Sequence, residues 1–403
     1  MNYKQLLAHY PGYVGYGATH YFYSALGQTF LISQFVPYFN QSFNLSNSTF
    51  GLLYAIATIS SATIIPFAGK FVDKLKIRQA SLINGLAIAA FCLLMSFSQH
   101  VALLFVALLG LRFCGQGLMI LIGSTGVARY FTVDRGKALS LSGLGLSLAE
   151  TLLPIAVAAV IGWLHWQAAW QLLALSVALI FIPASMMLVK KDNPFQFADS
   201  PKQTDEASKI NLSRKQVLAD YRFYLILPVI LFLPFFITGI FIHQNLLAQA
   251  KGWSMEWMAT CFVGYGVTRI LTSILAGPLV DKFTARKTVI VYLVPLLLAM
   301  VVLMMGDNKW LALLYMILLA ITASLSSLTG TALWAELYGV RFFGSIKSMV
   351  TTLMVFSTAL GPIIMGNILE NPQQLPAFLA GTITVVILLV LLAWFIIKKY
   401  EES

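Results

Sequence analysis

The chain has 403 residues, of which 59% are hydrophobic and 10% are charged, and its mean hydropathy is +0.82. Because soluble domains carry about a quarter charged residues, this composition excludes an ordinary soluble protein and leaves no room for a large extramembrane catalytic domain. The formal net charge is +11, but the few basic residues lie in short stretches between apolar runs, which argues against a nucleic-acid partner.

Apolar runs of membrane-spanning length recur along the whole sequence. A transmembrane helix needs about 20 apolar residues, and these runs are continuous rather than alternating, which favours helices over the strands of a barrel. The pattern predicts an all-α membrane protein with twelve transmembrane helices. We number them as spans 1 to 12, in chain order, at residues 12–38, 49–68, 80–98, 101–127, 137–162, 166–189, 222–249, 256–279, 287–305, 309–335, 343–369 and 374–398.

A long polar segment at residues 190–221 divides the spans six and six. Its many charged residues are typical of a linker outside the bilayer. The predicted domains are an N-terminal six-helix bundle at 1–189, the linker at 190–221, and a C-terminal six-helix bundle at 222–403. A short amphipathic helix is expected within the linker, near residues 210–218.

The distribution of basic residues over the loops predicts the orientation of the chain. All but four of the 26 Lys and Arg residues fall on one side when both termini and the linker are placed there. Lys251 and Lys309 fall on the other side, and Arg112 and Arg269 lie within spans. Basic residues resist translocation, so both termini are predicted to be cytoplasmic. The protein is expected to be a multi-pass protein of the plasma membrane, namely the inner membrane of a bacterium. The basic face would then contact anionic lipid headgroups.

A motif between spans 2 and 3 recurs between spans 8 and 9. Residues 69–78 read GKFVDKLKIR and residues 277–286 read GPLVDKFTAR, an offset of 208 residues. The same offset, without a gap, aligns further identical residues: Tyr130 with Tyr338, Gly136 with Gly344, Ser140 with Ser348, and Pro154 with Pro362. A duplicated six-helix unit predicts two bundles related by pseudo-twofold symmetry, the architecture of transporters that rock two bundles around a central site.

These motifs resemble those of the major facilitator superfamily. The repeated G-x3-D-K-x3-R loop resembles its signature loop, Arg112 in the sequence RFCGQG resembles its span 4 motif, and the Gly- and Pro-rich residues 143–154 resemble its span 5. The resemblance implies a twelve-helix fold and transport by alternating access.

A narrower resemblance points to one branch of that superfamily. Residues 128–131 (ARYF), residues 135–138 (RGKA) and Arg269 in span 8 are similar to the corresponding residues of the monocarboxylate and oxalate/formate carriers. This similarity implies a small organic anion as the transported solute.

Arg269 is the candidate anchor for that anion. An ionisable group inside the bilayer costs several kcal/mol unless it faces a cavity or a partner, and Arg269 lies about 20 Å into span 8 at 1.5 Å per residue. A guanidinium donates two parallel hydrogen bonds to a carboxylate. Tyr265, one helical turn earlier, is included in the predicted substrate site. A packing contact with a neighbouring carbonyl or acid is the alternative.

Glu150 and Arg112 are the candidates for proton coupling. Glu150 lies midway along span 5, where a carboxyl that gains and loses a proton could couple transport to the proton gradient. Arg112 of span 4 lies at a similar predicted depth. The alternatives are a structural hydrogen bond of Glu150 or an ion pair between the two side chains.

Spans 1 and 7 supply the other candidate substrate-binding residues. They occupy equivalent places in the two halves, and the family resemblance implies that they line the cavity. A histidine titrates in the physiological range, although a lone helical histidine is more often a packing residue. The candidates are His243, Gln244, His20, Tyr23 and Gln28.

The repeated loop motif suggests a conformational latch. An acid near a helix N-terminus is stabilised by the helix dipole, so Asp73 is expected to cap span 11 near residues 343–344 and to hold the two bundles together in the outward-open state. Charges that only set the topology are the alternative. The predicted latch residues are Gly69, Asp73, Arg78, Gly277, Asp281 and Arg286.

The sequence therefore predicts a secondary active transporter that moves a small organic anion with a proton. No phosphate loop, nucleophile triad or metal-ligand spacing is visible, so neither an enzyme nor a cofactor or metal site is expected. The expected partners are a small-molecule substrate, the lipid bilayer and protons, and the expected state is a monomer. An exporter of drugs or siderophore-like amphipathic compounds is the alternative, and a non-transporting membrane sensor is a more remote one.

Overall fold

Two compact units make up the chain, Met1–Pro201 and Lys202–Ser403. Every regular element in the described part of the chain is helical, as the apolar runs predict. Eleven of these helices are long and apolar enough to cross a membrane, and span 1, which is broken into shorter pieces, is the twelfth. The computed structural model describes residues 3–131, 135–189, 212–339 and 342–401.

Spans 2 to 6 of the N-terminal unit are long helices. Spans 2, 3 and 5 are single helices, Asn47–Lys74, Ile77–Ser96 and Arg135–Trp163. Spans 4 and 6 each contain a π-helical stretch, which widens the helix locally and often marks a functional position. Their pieces are Val101–Leu111, Arg112–Met119 and Ile120–Tyr130 in span 4, and Trp166–Ser176, Val177–Phe181 and Ile182–Leu188 in span 6.

Span 1 is interrupted near its middle. A short helix, Tyr3–His9, precedes it, and its pieces are the helix Pro11–Tyr23, the 3₁₀ turn Ser24–Gly27, the helix Thr29–Ile32, the 3₁₀ turn Ser33–Phe35 and the helix Val36–Phe43. Gln28, between two pieces, has an extended backbone with φ −86° and ψ 150°. A Cβ on Gly27 would overlap the backbone of Leu111 and Gln116 in span 4. The missing side chain therefore lets the break pack directly against the π-helical stretch.

The first described helix of the C-terminal unit is the short Arg214–Ala219, which overlaps the predicted amphipathic segment at residues 210–218 and has a capping box formed by Ser213 and Gln216. Residues 190–211 of the predicted linker lie outside the described ranges. The helices that follow are Tyr221–Ile242 and Gln244–Ala250 in span 7, Met255–Val291 and Val294–Met304 in spans 8 and 9, Lys309–Tyr338 in span 10, Phe343–Leu369 in span 11, and the 3₁₀ turn Pro372–Gln374 and helix Leu375–Glu401 in span 12.

The helix Met255–Val291 is kinked at Thr284, whose φ of 65° and ψ of 153° are not helical. The backbone N–H groups of Ala285 and Arg286 donate to the two carboxylate oxygens of Glu336 in span 10, at 2.8 and 3.1 Å. The first N–H groups of a helix have no acceptor within the helix, and a negative charge at that end is favourable. Glu336 therefore caps the start of span 9.

A hydrogen-bonded cluster ties the start of span 7 to the ends of spans 10 and 12. The hydroxyls of Tyr338 and Tyr400 lie 2.6 Å apart, and they are 3.4 and 3.3 Å from Oδ2 of Asp220. The Nε of Arg222 donates to Asp220 at 3.0 Å, and its guanidinium lies 4.2 Å from the centroid of the Tyr400 ring. This arrangement places the loop before span 7 beside the last turn of span 12.

Candidate functional site

The N-terminal unit buries a cation where span 1 breaks. Arg112, the first residue of the π-helical stretch, is 1% exposed. Its Nη1 donates to the carbonyl oxygen of Gly27 at 2.9 Å, and its guanidinium lies 4.8 Å from the centroid of the Tyr54 ring. The Nε of Arg112 is buried without a hydrogen-bond acceptor among the described residues. Arg112 thus donates a hydrogen bond to a backbone carbonyl at the point where the regular helix of span 1 is interrupted.

Neighbouring hydrogen bonds fix this arrangement. The hydroxyl of Tyr54 in span 2 lies 2.7 Å from that of Thr29, just after the break. Asn84 of span 3 donates from Nδ2 to the carbonyl of Cys114 in the π-helical stretch, at 3.1 Å. Spans 1 to 4 therefore meet around Arg112, and Gln28 lies at the same break.

Glu150 and the other span 1 candidates are also buried. Glu150 is 5% exposed in span 5. His20 is fully buried, and both of its ring nitrogens are bonded: Nδ1 donates to the carbonyl of Tyr16 at 2.9 Å, and Nε2 lies 3.0 Å from the Ser81 hydroxyl. Tyr23 donates its hydroxyl to the Ser176 carbonyl at 3.1 Å. His20 thus connects span 1 to span 3, and Tyr23 connects span 1 to span 6. For His20, these contacts correspond to the alternative role of a packing residue.

The C-terminal unit has its own buried break. His243 ends the first helix of span 7 and is 0% exposed. Its Nε2 lies 2.8 Å from the carbonyl oxygen of Pro362 in span 11. A carbonyl can only accept, so Nε2 carries the proton, and Nδ1 of the neutral ring is an acceptor. That Nδ1 is buried with no hydrogen-bond partner in the described chain, as is Oδ1 of Asn245.

Arg269 lies beside an aromatic cluster that leads to this break. It is partly buried in span 8, and its guanidinium lies 5.9 Å from the centroid of the Tyr265 ring. The Tyr265 ring contacts Phe241 edge to face at 5.6 Å, and Phe241 lies two residues before His243. Gln244, 2% exposed, begins the second helix of span 7. The predicted residues of spans 7 and 8 are therefore connected through the Phe241 and Tyr265 rings.

A protein-family model matches most of the chain. The model of the Major Facilitator Superfamily matches residues 18–263 and 226–403. The chain belongs to the major facilitator superfamily. Its fold is accordingly that of the superfamily, twelve helices in two six-helix bundles, and it is a multi-pass membrane transporter of small molecules rather than an enzyme.

Solved structures share the fold of this superfamily member. A bacterial homologue of the human lysosomal transporter Spinster, in an inward-facing and occupied conformation, is 16% identical with a TM-score of 0.71, over 97% of this chain and 96% of the other. The nucleoside transporter NupG is 13% identical with a TM-score of 0.69, over 100% of this chain and 99% of the other. A search of curated proteins finds no match. At these identities the likeness establishes the fold and not the solute.

Of the six predicted latch residues in the signature loops of this major facilitator superfamily protein, the structure describes the side chains of two, Arg78 and Arg286. Gly69, Asp73, Gly277 and Asp281 lie outside the residues whose side chains the structure describes. Arg78 donates from Nη2 to the carbonyl of Met186 in span 6, and Arg286 donates from Nη2 to the carbonyl of Glu336 in span 10 at 2.7 Å. Both arginines therefore bond within their own unit, and the latch between bundles stays a prediction.

Several residues of these clusters are not among those that the sequence predicts. Asn84 is a lone amide in the apolar run of span 3, and Glu336 is an acid at the end of span 10, so both could have been identified from the sequence. Tyr54 and Phe241 carried none, because aromatic residues are common throughout these spans. The role of Gly27 depends on its packing against span 4, which the sequence does not show.

Proposed function

We propose that this transporter carries a small organic anion together with a proton, by alternating access between two six-helix bundles. The observation that supports the anion is the partly buried Arg269, which lies in a membrane-spanning helix beside Tyr265. A guanidinium is retained at such a depth where it faces a polar cavity or a charged group, and it binds a carboxylate through two parallel hydrogen bonds.

Arg112 is the less suitable anchor of the two arginines within spans. It is 1% exposed, and Nη1 is committed to the Gly27 carbonyl. A substrate carboxylate would have to displace that bond and open the break in span 1. Arg269 is more accessible, and the buried acceptor Nδ1 of His243 lies beyond the same aromatic cluster, so an anion that also carries a hydroxyl or N–H donor suits this part of the molecule.

Glu150 is the proposed proton carrier. It is a carboxyl group buried to 5% exposure in the middle of span 5. An ionisable group at that depth is costly unless it serves a function or a partner. Protonation removes the charge of Glu150. The protein could then change between its two conformations without moving an unpaired negative charge through an apolar region.

The test is uptake of a panel of radiolabelled carboxylates into proteoliposomes, with and without a proton gradient. Arg269→Ala is expected to lower the initial rate for the accepted anion by about tenfold or more, and Arg269→Lys to retain part of it, because lysine keeps the charge and loses the paired donor geometry. Arg214→Ala, which removes an exposed arginine of the short helix Arg214–Ala219, is the matched control.

Glu150→Gln tests the proposed proton coupling separately from the proposed anion binding. It should abolish the acceleration of uptake by a proton gradient and leave exchange of internal for external solute intact. Undiminished uptake in Arg269→Ala would refute the anionic anchor, and proton-driven uptake in Glu150→Gln would refute the proton carrier.

Export of amphipathic drugs is the second candidate, and one observation favours it. Phe241, Phe262 and Tyr265 form a mutually packed aromatic cluster beside Arg269. Aromatic rings bind flat apolar compounds without a specific charge; these three are at most 4% exposed, so a compound would reach them only when the cluster opens during transport. Efflux of a cationic dye from the same proteoliposomes, unaffected by Arg269→Ala, would favour this function over anion transport.

The charge asymmetry of the loops supports the proposed placement of the chain in a bacterial inner membrane, as a monomer with both termini cytoplasmic. Lys251 and Lys309 then lie outside and the short helix Arg214–Ala219 lies inside. A cysteine at Lys309 should react with a membrane-impermeant reagent added to intact cells, and a cysteine at Lys215 should react only after lysis. The reverse pattern would invert the orientation.

A further inference from the structure

The C-terminal unit has an open cavity of about 450 Å³ where the connections between spans 7 and 8 and between spans 9 and 10 lie. This volume falls within the range of about 300–1,000 Å³ that is usual for small-molecule sites. Trp253, Trp257, Glu256 and Lys309 line it. It lies at the opposite end of spans 7 and 10 from the Asp220, Tyr338 and Tyr400 cluster.

Hydrogen bonds hold the two indole rings of the cavity in place. Trp253 donates from Nε1 to the carbonyl of Asp307 at 2.7 Å, and Trp257 donates from Nε1 to the carbonyl of Lys309 at 2.7 Å. Because both N–H groups are used, the rings offer apolar and π surface to an occupant. The walls are therefore fixed before anything binds.

The cavity also presents one negative and one positive group. Neither the carboxylate of Glu256 nor the ammonium of Lys309 has an ion-pair partner in the part of the chain that the structure describes. The neighbouring Lys251 is neutralised, because its Nζ lies 2.9 Å from Oδ1 of Asp307. An occupant that complements this cavity carries both a cation and an anion.

The surroundings place the cavity at the level of lipid headgroups. Lys309 is the first residue of span 10, and its ammonium lies 5.3 and 5.8 Å from the ring centroids of Trp257 and Trp310. Trp310 is 59% exposed. Exposed tryptophans at the ends of transmembrane helices mark the boundary between hydrocarbon and water. An occupant held by these groups is positioned like a phospholipid headgroup.

We propose that this cavity binds the phosphoethanolamine headgroup of a membrane phospholipid. The primary ammonium donates to the carboxylate of Glu256, the phosphate accepts from Lys309, and the two carbons between them lie against the indole of Trp257. A choline headgroup has the same charges but no N–H to donate to Glu256, and a glycerol headgroup has no cation. The cavity therefore discriminates in favour of the ethanolamine lipid.

The experiment measures thermal unfolding of the purified protein in detergent micelles that contain increasing mole fractions of one phospholipid. Phosphatidylethanolamine, phosphatidylcholine and phosphatidylglycerol with identical acyl chains are compared. Half-maximal stabilisation is expected at about a tenfold lower fraction of the ethanolamine lipid, the ratio that one charge-assisted hydrogen bond supports. Equal midpoints for the ethanolamine and choline lipids would overturn the proposal.

Three variants assign the effect to this cavity. Glu256→Ala, which removes the acceptor, should bring the ratio between the ethanolamine and choline lipids close to one, and Lys309→Gln should weaken both by a similar factor. Lys215→Gln, at an exposed lysine of the short helix Arg214–Ala219, should change neither. A preference that survives Glu256→Ala refutes the assignment. If that variant fails to fold, an unchanged response of Lys309→Gln refutes it.

Glycerophosphoethanolamine separates a lipid from a free solute. This water-soluble molecule carries the same headgroup without acyl chains. It should stabilise the protein only at concentrations far above those at which the lipid acts. If it matches the lipid at equal concentration, with the same dependence on Glu256, the cavity binds a soluble zwitterion and the proposed occupant is wrong.

Discussion

The breaks at Gln28 in span 1 and at His243 in span 7 are held by different chemistry, and they do not lie at equivalent positions: the offset of 208 residues takes Gln28 to Phe236, inside the helix Tyr221–Ile242. With the offset of 208 residues, Phe35, the last residue of the second 3₁₀ turn in span 1, corresponds to His243, which ends the first helix of span 7. In the first half, a guanidinium from span 4 covers the carbonyl of Gly27. In the second half, the imidazole at the break itself donates to the carbonyl of Pro362.

This difference shows that the two halves of a duplicated chain can break their first helices at different positions and hold the breaks by different contacts. The break in span 1 is closed by a permanent charge and by backbone contact between Gly27 and span 4, which makes it a fixed joint. The break in span 7 is closed by one neutral hydrogen bond, and it retains buried acceptors on His243 and Asn245. The second half is therefore the better place for a solute that brings its own donors.

The largest expected effect tests the fixed joint. Gly27→Ala would place a Cβ against the backbone of Leu111 and Gln116, which cannot move aside as a side chain could. We expect the free energy of unfolding to fall by about 3 kcal/mol or more, measured by thermal and denaturant melts in detergent. Gly143→Ala is the matched control, because no atom lies within 4 Å of the added Cβ, and it should be neutral or slightly stabilising. Equal melts for the two variants would show that the close approach is unimportant.

A smaller effect is expected at the break in span 7. His243→Phe installs the residue that span 1 has at the equivalent position, and it removes the donor to the Pro362 carbonyl. Leaving one buried carbonyl without this donor should lower the free energy of unfolding by about 1–2 kcal/mol. His100→Phe makes the same chemical change at an exposed site and serves as the control. If His243→Phe melts like the wild type, the hydrogen bond to span 11 does not hold this break, and the contrast with the break in span 1 is wrong.

The fold was predictable from the sequence because its main signals are local. Continuous apolar runs predict the spans, and the gapless offset of 208 predicts the duplication. The breaks were less predictable. Span 1 reads as one apolar run, and the interruption depends on Gly27 meeting span 4 from far along the chain.

The sequence indicates the polar residues of the candidate site, but not what each of them contacts. His20 and His243 are both lone histidines in equivalent spans, and the sequence gives no reason to separate them. In the structure both nitrogens of His20 are bonded, whereas Nδ1 of His243 is not. Arg112 bonds a backbone carbonyl exposed by the break, a partner that no pattern of side chains could indicate.

The cluster of Asp220, Tyr338 and Tyr400 has a practical consequence for handling the protein. Tyr400 lies in the last described turn of span 12, and its hydroxyl is bonded to Tyr338 and near Asp220. A fusion that shortens the last helix, to attach an affinity tag or a fluorescent reporter, removes such contacts. Here a trim that removes Tyr400 would cut a tie between three segments of the C-terminal unit, so fusions should preserve the chain through this residue.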